Sequence, residues 1–241
     1  MTNIQKIIHC FIIPFLWGCI ESDDILLDET TEEYQLYDYY VDEYGNEGIV
    51  AHIEEYDDGL RTIIVLSADE AYLPWGPIGE IVFQATDSLK YPSSTYGNAS
   101  FGVTMLNLMH ANGIDKYPAM AWCDQKNKKG FPSCSSWRLP TRNELNDIWG
   151  WTIKKNIDKM NSALSDIGGV SVNRENYYWT CAEDYEDYFH TVFDKNLEQV
   201  TDPSNNAIAT QPESRDKNCW LKKSYNHVRA IKYIYLHKYG L

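Results

Sequence analysis

The sequence is poor in positive charge. Its 241 residues include 21 Lys and Arg against 35 Asp and Glu, which gives a formal net charge of −14 at pH 7. The basic residues are not concentrated into a stripe anywhere along the chain. Proteins that bind nucleic acid neutralise its phosphates with clustered Lys and Arg, so nucleic acid is not expected as a partner.

The sequence also lacks an apolar run long enough to cross a bilayer. The run over residues 7–17 follows Lys6 and ends before Gly18, whereas a spanning helix needs about 20 predominantly apolar residues. A basic residue, a short apolar run and a small residue are the parts of an export signal. We predict residues 1–18 to be a cleaved leader, with an uncleaved membrane anchor as the alternative.

Cys19, which directly follows the leader, is a candidate lipidation site. The segment Leu16-Trp17-Gly18-Cys19 resembles a lipobox, in which a small residue precedes the cysteine that receives diacylglycerol, although Trp17 is bulkier than usual at its position. Each acyl chain contributes about 0.8 kcal/mol per buried methylene, so a multiply acylated Cys19 would hold the protein on a membrane. We predict that Cys19 is lipidated; ordinary signal cleavage nearby is the alternative.

Acidic residues fill the segment after Cys19, and Lys and Arg are absent between Ile20 and Gly48. Like charges at this density keep a chain extended and solvated, so residues 19–47 are predicted to form a tether. The acidic stretch resembles the surface-export signals of Bacteroidota lipoproteins, which implies a surface-exposed protein of the outer membrane. Tyrosines between residues 34 and 44 leave open whether the end of the tether docks onto the domain.

Paired metal-ligand spacings are missing, since the sequence has no CxxC or HxxxH motif. Once the leader is removed and Cys19 is lipidated, four cysteines remain for the domain: Cys123, Cys134, Cys181 and Cys219. An even number of cysteines outside the cytoplasm predicts two disulfides. Three pairings are open, and the lower entropy cost of closing short loops favours Cys123 with Cys134 and Cys181 with Cys219.

Residues 48–241 carry the patterns of an α+β domain. Asp57-Asp58-Gly59 separates two β-branched segments and predicts a hairpin of residues 49–56 and 60–67. Helices in the first half of the domain are predicted to begin near residues 101, 118, 141 and 153. Strands are predicted over residues 177–181, 189–193 and 227–235, with a long polar loop over residues 201–217.

One ordered set of motifs resembles a known family. Residues 136–145 read Ser-Trp-Arg-Leu-Pro-Thr-Arg-Asn-Glu-Leu and resemble the WRLPT-x-x-EL signature of the DUF1566 family, also called the Legionella collagen-like protein C-terminal domain family. Residues 117–123, 178–180 and 228–231 are similar to its flanking motifs. The resemblance spans roughly residues 101–234 and implies a C-type-lectin-like fold, in which the first and last strands pair and a long loop can carry a ligand site.

The signature residues also have a direct physical interpretation. Trp137 and Leu139 alternate around Arg138 in an extended segment, so the apolar pair faces one side and the guanidinium the other. The fork of donors on Arg138 predicts a structural clamp rather than a ligand contact, and Arg229 is interpreted in the same way. The residues assigned a structural role are Trp137, Arg138, Leu139, Pro140, Thr141, Glu144, Trp179 and Arg229, of which Thr141 and Glu144 form a capping box.

Catalytic and cofactor signals are sparse. Calcium needs several convergent oxygens, and the dense carboxylates of the domain stand at residues 183–187, without the Glu-Pro-Asn motif of calcium-dependent lectins. No nucleophile elbow or metal-binding His pair is present. We therefore expect no metal and no cofactor, with calcium as the alternative, and we predict that the protein is not an enzyme.

Recognition is the function that these observations favour. A rigid exported scaffold with exposed aromatic residues suits binding of a glycan or protein ligand. The candidate ligand contacts are Trp220, Asn218, Tyr185, Glu183 and Asp187, beside the polar loop. A structural subunit of a surface or fimbria-like assembly is the alternative, and an unrecognised enzyme is a third.

Overall fold

A computed structural model of the protein describes residues 34–57, 59–83, 99–127, 132–133, 135–150, 153–183, 206–213 and 217–237. These residues form an α+β fold with an N-terminal β-hairpin, followed by helices and then by closing strands, which confirms the predicted fold class. The strands are β1 (Tyr39–Val41), β2 (Glu47–Glu55), β3 (Leu60–Ser67), β4 (Ala71–Pro74), β5 (Tyr178–Glu183), β6 (Asn206–Thr210), β7 (Lys217–Leu221), β8 (Tyr225–Val228) and β9 (Ile231–His237). The helices are α1 (Ala99–Asn112), α2 (Pro118–Asp124), α3 (Arg142–Trp149) and α4 (Ile153–Asp166), with a 3₁₀ helix over Ile114–Lys116.

The first sheet is antiparallel, with the strand order β1-β2-β3-β9. The predicted hairpin of β2 and β3 forms its centre, and Gly59 in the connecting turn has a φ of +85°, which glycine adopts at low cost. In β3, Ile63 and Val65 pack in one core, whereas Ile64 and Leu66 pack in another. Successive side chains point to opposite faces of a strand, so the unbroken apolar run reflects a sheet that is buried on both faces.

The second sheet has the order β4-β8-β5-β6-β7, in which β5 and β8 are parallel and the other neighbours are antiparallel. The chain crosses between the sheets twice, from β3 to β4 and from β8 to β9. The two crossings lie side by side. Leu66 pairs with Ile231 where they leave the first sheet, and Ala71 pairs with Val228 where they join the second. We call this place the corner; it is formed by residues 67–70 and 229–230.

Two predicted boundaries differ in the structure. Residues 227–235, predicted as one strand, are divided between β8 and β9 because the chain changes sheets at Arg229. The predicted polar loop over residues 201–217 contains β6, an internal strand whose Ala207, Ile208 and Ala209 are fully buried. It holds only one large apolar residue, Ile208, so the strand depends on burial between β5 and β7. The strand predicted at 189–193 lies outside the described residues.

The four helices agree with their sequence signals. The segment after α1 turns at Gly113, with a φ of +94°, and α4 is followed by Gly168, with a φ of +72°. α3 begins with the predicted capping box of Thr141 and Glu144. Buried residues of α1 and α2 share one core with both sheets, and those of α3 and α4 line the other. Among the helices that the structure describes, none combines the length and apolarity that crossing a membrane requires.

Ordered structure begins before residue 48, where the domain was predicted to start. β1 pairs with β2, and Tyr40 is buried with its ring centroid 6.5 Å from that of Trp137. Arg61 Nη2 also donates a hydrogen bond of 2.6 Å to the carbonyl oxygen of Tyr34. Residues 34–47 of the predicted tether therefore belong to the folded domain, because tyrosines such as Tyr40 bury apolar surface there. Residues 19–33 lie outside the described residues.

Candidate functional site

Glu183, predicted as a ligand contact, is a buried structural residue. It ends β5 with no solvent exposure, and its carboxylate accepts hydrogen bonds from Lys222 Nζ at 2.5 Å and from the backbone N–H groups of residues 82 and 83 at 2.9 and 3.0 Å. Lys222 Nζ also lies 4.8 Å from the centre of the Trp75 ring. Burial raises the pKa of Glu183, although Lys222 acts in the opposite direction. This carboxylate is therefore not available to a surface ligand or a calcium ion.

The other predicted ligand contacts are not gathered into one site by the described residues. Trp220 and Asn218 belong to β7, the edge strand of the second sheet. The Trp220 ring is half-buried, 5.6 Å from that of Tyr177 between centroids. The side chain of Asn218 lies outside the described part of the chain, as do Tyr185 and Asp187.

The signature segment forms a buried clamp around Arg138. Its backbone exchanges two hydrogen bonds of 3.0 Å with Ile231 at the start of β9. Its guanidinium, with no exposure, donates to the two carboxylate oxygens of Glu144 at 2.8 and 2.6 Å and to Leu139 O at 3.1 Å. The same carboxylate accepts a hydrogen bond of 2.7 Å from Thr141 N, which completes the cap of α3. Burial lowers the pKa of Arg138, but Glu144 outweighs burial and raises the pKa, so the guanidinium stays charged.

Space for this clamp depends on Gly102 of α1. A Cβ at this position would lie 2.3 Å from Arg138 Nη1 and 2.4 Å from Cζ. Because bidentate bonds to Glu144 fix the guanidinium, only a residue without a side chain lets α1 approach it. Gly102 carries no sign of this role in the sequence, since nothing local links it to Arg138.

The remaining signature residues are buried and hold distant segments together. Trp137 Nε1 donates to Asp42 Oδ2 at 2.8 Å, and Trp179 Nε1 donates to Leu73 O at 2.9 Å. Leu139 has no solvent exposure, and Pro140 O accepts the backbone N–H of Cys181 at 2.8 Å. These contacts are structural rather than ligand-binding.

The two described cysteines differ from the predicted disulfides. Cys123 and Cys181 are free thiols with no solvent exposure. Cys181 and Cys219 lie on β5 and β7 with β6 between them, and neighbouring strands are about 4.8 Å apart, so their Cα atoms are too distant for a disulfide. Burial raises the pKa of Cys181 to about 12 and that of Cys123 well above its ordinary value, which keeps both as unreactive thiols. Cys134 and the Cys219 side chain lie outside the described residues.

Arg229 holds the corner between the two sheets. Its buried guanidinium donates to Glu70 Oε2 and Ser67 O, each at 3.0 Å, and to Val170 O. The second oxygen of Glu70 lies 2.6 Å from His227 Nδ1. Arg229 therefore joins the two crossings and, through Glu70, fixes the orientation of His227.

A cluster of exposed rings lies beside this corner. We define the aromatic patch as Tyr72 of β4 together with Tyr225 and His227 of β8. The ring centroid of Tyr72 is 5.7 Å from that of Tyr225 and 5.1 Å from that of His227, its cross-strand partner. Tyr72 and Tyr225 are 58% and 55% exposed, more than any other large hydrophobic residue that the structure describes. Their strands turn Leu73 and Val228 towards the core, so the patch is the solvent-facing side of a packed sheet.

A polar groove adjoins the patch. It has a volume of about 580 Å³ and is lined by Ser171, Val172, Asn173, Arg174, Glu175 and Glu213. Tyr178 connects the two features, because its hydroxyl accepts the backbone N–H of Asn173 at 3.0 Å and its ring centroid is 5.5 Å from that of His227. The groove and the patch are thus neighbours through Tyr178, which is itself buried.

The patch is the part of the site that the sequence analysis missed. Tyr225 and His227 alternate with Asn226 and Val228, a signal that puts both on one face of a strand. Their partners could not be found in this way, because Glu70 is separated from His227 by 157 positions. Among the described residues, no group of three or more His, Cys, Asp or Glu side chains is arranged to hold a metal ion.

Comparison of the chain with protein-family models gives no match, and a search of curated proteins finds no similar sequence.

Proposed function

We propose that this chain is a lipid-anchored outer-membrane protein, exposed on the cell surface, whose domain binds a glycan or protein ligand without catalysis. The observation that carries the proposal is the aromatic patch, in which two tyrosine rings are more than half exposed on a packed sheet. Aromatic faces supply a large contact area at low entropy cost. Arg229 and Glu70 also order these strands before a ligand arrives, and preorganisation of this kind favours binding.

The proposal includes a DUF1566-like domain of the C-type-lectin-like type. It is supported by the WRLPT-x-x-EL motif, whose Arg138 and Glu144 form a fully buried ion pair. We assign ligand binding to the aromatic patch rather than to the region 201–220, because β6 within that region is an internal, buried strand. The motif then serves folding, and the patch serves recognition.

Lipidation is the first prediction of the proposal. Cells that make the chain and are fed a fatty-acid analogue should label the wild type, because Gly18-Cys19 follows an apolar leader. The Cys19→Ala variant should remain unlabelled. Label on both proteins, or on neither, would contradict a lipid anchor at this cysteine.

Ligand binding is tested with the full chain, extracted in a detergent that has no sugar headgroup. The chain is applied to arrays of glycans and of secreted and cell-surface proteins. Wild type is compared with Tyr72→Ala/Tyr225→Ala, which removes the exposed rings of the patch. The matched control is Tyr44→Ala/Tyr56→Ala, since these tyrosines are 48% and 44% exposed but lie elsewhere.

We expect saturable binding that the patch variant weakens by about tenfold or more and that the control variant retains. A tenfold change corresponds to about 1.4 kcal/mol, which is within the cost of removing central aromatic contacts. Equal binding by the patch and control variants would contradict recognition through the patch. A blank array alongside co-purified surface proteins would favour the structural-subunit role instead.

A further inference from the structure

We infer that the aromatic patch is a binding site for a neutral saccharide, in which His227 supplies the hydrogen bond that selects the ligand. The inference rests on the proposed function and narrows its ligand to one chemical class. It is carried by three features of the patch: the shape of its exposed rings, the fixed orientation of its imidazole and its charge.

The exposed rings offer the surface that a sugar ring requires. The rings of Tyr72 and Tyr225 are 5.7 Å apart between centroids and are inclined by 37°, so they form a broad, shallow platform rather than a deep apolar pocket. The face of an aromatic ring carries partial negative charge. One face of a pyranose presents C–H bonds with partial positive charge, which stack on such a platform while the hydroxyl groups point sideways.

His227 stands at the edge of the platform with a defined role for each ring nitrogen. Nδ1 lies 2.6 Å from Glu70 Oε1, and Glu70 is held in turn by the buried Arg229 through a bond of 3.0 Å. A carboxylate partner at Nδ1 favours the tautomer with its proton there. In a neutral imidazole this arrangement leaves Nε2 as the acceptor for a ligand hydroxyl. The side chain of His227 is 25% exposed, so the imidazole can be reached from solvent.

Charge favours a neutral ligand. The chain carries a formal net charge of −14, which opposes an anion. Glu70, the carboxylate that contacts His227, is 11% exposed and already engaged by Arg229 and His227, so it offers no free charge to a cation. The rings themselves recognise C–H and O–H groups, which are the chemistry of an uncharged saccharide.

The adjoining groove provides room for more than one sugar unit. Its volume of about 580 Å³ is in the range of ligand sites, roughly 300–1,000 Å³. Asn173 and Glu175 supply amide, carboxylate and backbone groups along it, and Tyr178 joins it to His227. The groove therefore offers polar partners to a ligand long enough to extend from the patch.

The competing explanation is that the rings only stabilise β4 against β8, since cross-strand aromatic pairs strengthen a sheet. Binding and stability must therefore be measured on the same variants. His227→Ala removes the acceptor, whereas His227→Gln retains a polar amide near the position of Nε2. Glu70→Gln weakens the orientation of the imidazole without touching the platform. Tyr44→Ala/Tyr56→Ala is again the control.

The full chain, in the same detergent without a sugar headgroup, is titrated against an array of neutral oligosaccharides and of acidic ones that carry carboxylate or sulfate groups. We expect binding to neutral oligosaccharides, weakened about tenfold by Tyr72→Ala, Tyr225→Ala or His227→Ala. His227→Gln and Glu70→Gln should bind with intermediate affinity, and the control should bind like wild type. Thermal unfolding of each variant separates a lost contact from a lost fold.

The outcomes separate the inference from the proposed function. Patch-dependent binding to proteins or acidic glycans, with none to neutral oligosaccharides, would overturn the saccharide inference and leave recognition intact. Neutral saccharide binding that His227→Ala and Tyr72→Ala leave unchanged would overturn the assignment of the site. A third outcome is that variants lose binding only to the extent that they lose thermal stability, and that His227→Gln binds no more tightly than His227→Ala. This outcome would assign the rings a purely structural role. A wild-type chain that binds no glycan and no protein would overturn both.

Discussion

Gly102 shows how one residue can govern a buried ion pair from a distant helix. In Gly102→Ala, the new Cβ would lie 2.3 Å from a guanidinium nitrogen of Arg138 that Glu144 holds in place. Overpacking typically costs about 1–3 kcal/mol, which outweighs the helix-propensity gain of about 1 kcal/mol that alanine provides. We expect a net loss of up to about 2 kcal/mol in the free energy of unfolding, measured by denaturant titration.

The control for this substitution lies in the same helix. Asn107 of α1 is exposed, so Asn107→Ala gains helix propensity without meeting the clamp. A Gly102→Ala variant that is as stable as Asn107→Ala would contradict the close packing of α1 on Arg138.

The cysteines give a second prediction at the residue scale. Cys123 and Cys181 are buried thiols whose pKa values are raised by desolvation, so a maleimide should label neither in the native chain. Both should be labelled in denaturant without any reductant, and peptide mass spectrometry locates the label. If both remain unlabelled until a reductant is added, these residues form disulfides and the free-thiol assignment fails.

At the scale of elements, we expect the turn between β1 and β2 to lose stability in acid. Burial raises the pKa of Asp42, but hydrogen bonds from Trp137, Asn46 and the backbone N–H of Tyr44 outweigh burial and hold it below its ordinary value of 3.8. A carboxylate with a lowered folded pKa contributes stability that is fully present above the unfolded pKa and is lost as pH falls through the folded pKa. The wild type should therefore lose this contribution below about pH 4.

The Asp42→Asn variant tests the contribution of this carboxylate. The new amide group is itself a donor and would face the N–H groups that donate to Asp42 in the wild type. We therefore expect the free energy of unfolding to fall by about 1–3 kcal/mol at neutral pH. The difference between variant and wild type should shrink as pH falls below about 4, because protonation weakens the same bonds in the wild type. Thermal unfolding from pH 3 to 7 measures it. A difference that is constant over this range would contradict an ionised Asp42.

The sequence predicts those elements whose determining residues lie close together along the chain. The Asp57-Asp58-Gly59 hairpin and the Thr141–Glu144 cap each lie within a few residues, and the structure contains both. β6 could not be predicted, because it holds a single large apolar residue, Ile208, and is a strand only through its pairing with β5 and β7. The patch was missed for the same reason, since β4 and β8 meet only when the chain folds.

At the scale of the whole molecule, the end of the proposed tether and the aromatic patch lie on different sheets. The proposed tether enters through β1, the edge strand of the first sheet opposite β9. The patch lies on β4 and β8, beyond the corner where β3 and β9 leave that sheet. Arg229 and Glu70 link this corner to the patch, so the patch lies at the junction of both sheets.

The measurement that tests recognition through the patch most directly is hydroxyl-radical footprinting of the full chain, with and without the oligosaccharide that binds most tightly. Tyr72 and Tyr225, both more than half exposed, should be oxidised rapidly in the free chain and protected several-fold in the complex. Tyr44 and Tyr56, exposed to a similar degree, should be oxidised equally in both states. Protection at Tyr44 or Tyr56, with Tyr72 and Tyr225 oxidised as in the free chain, would contradict the account.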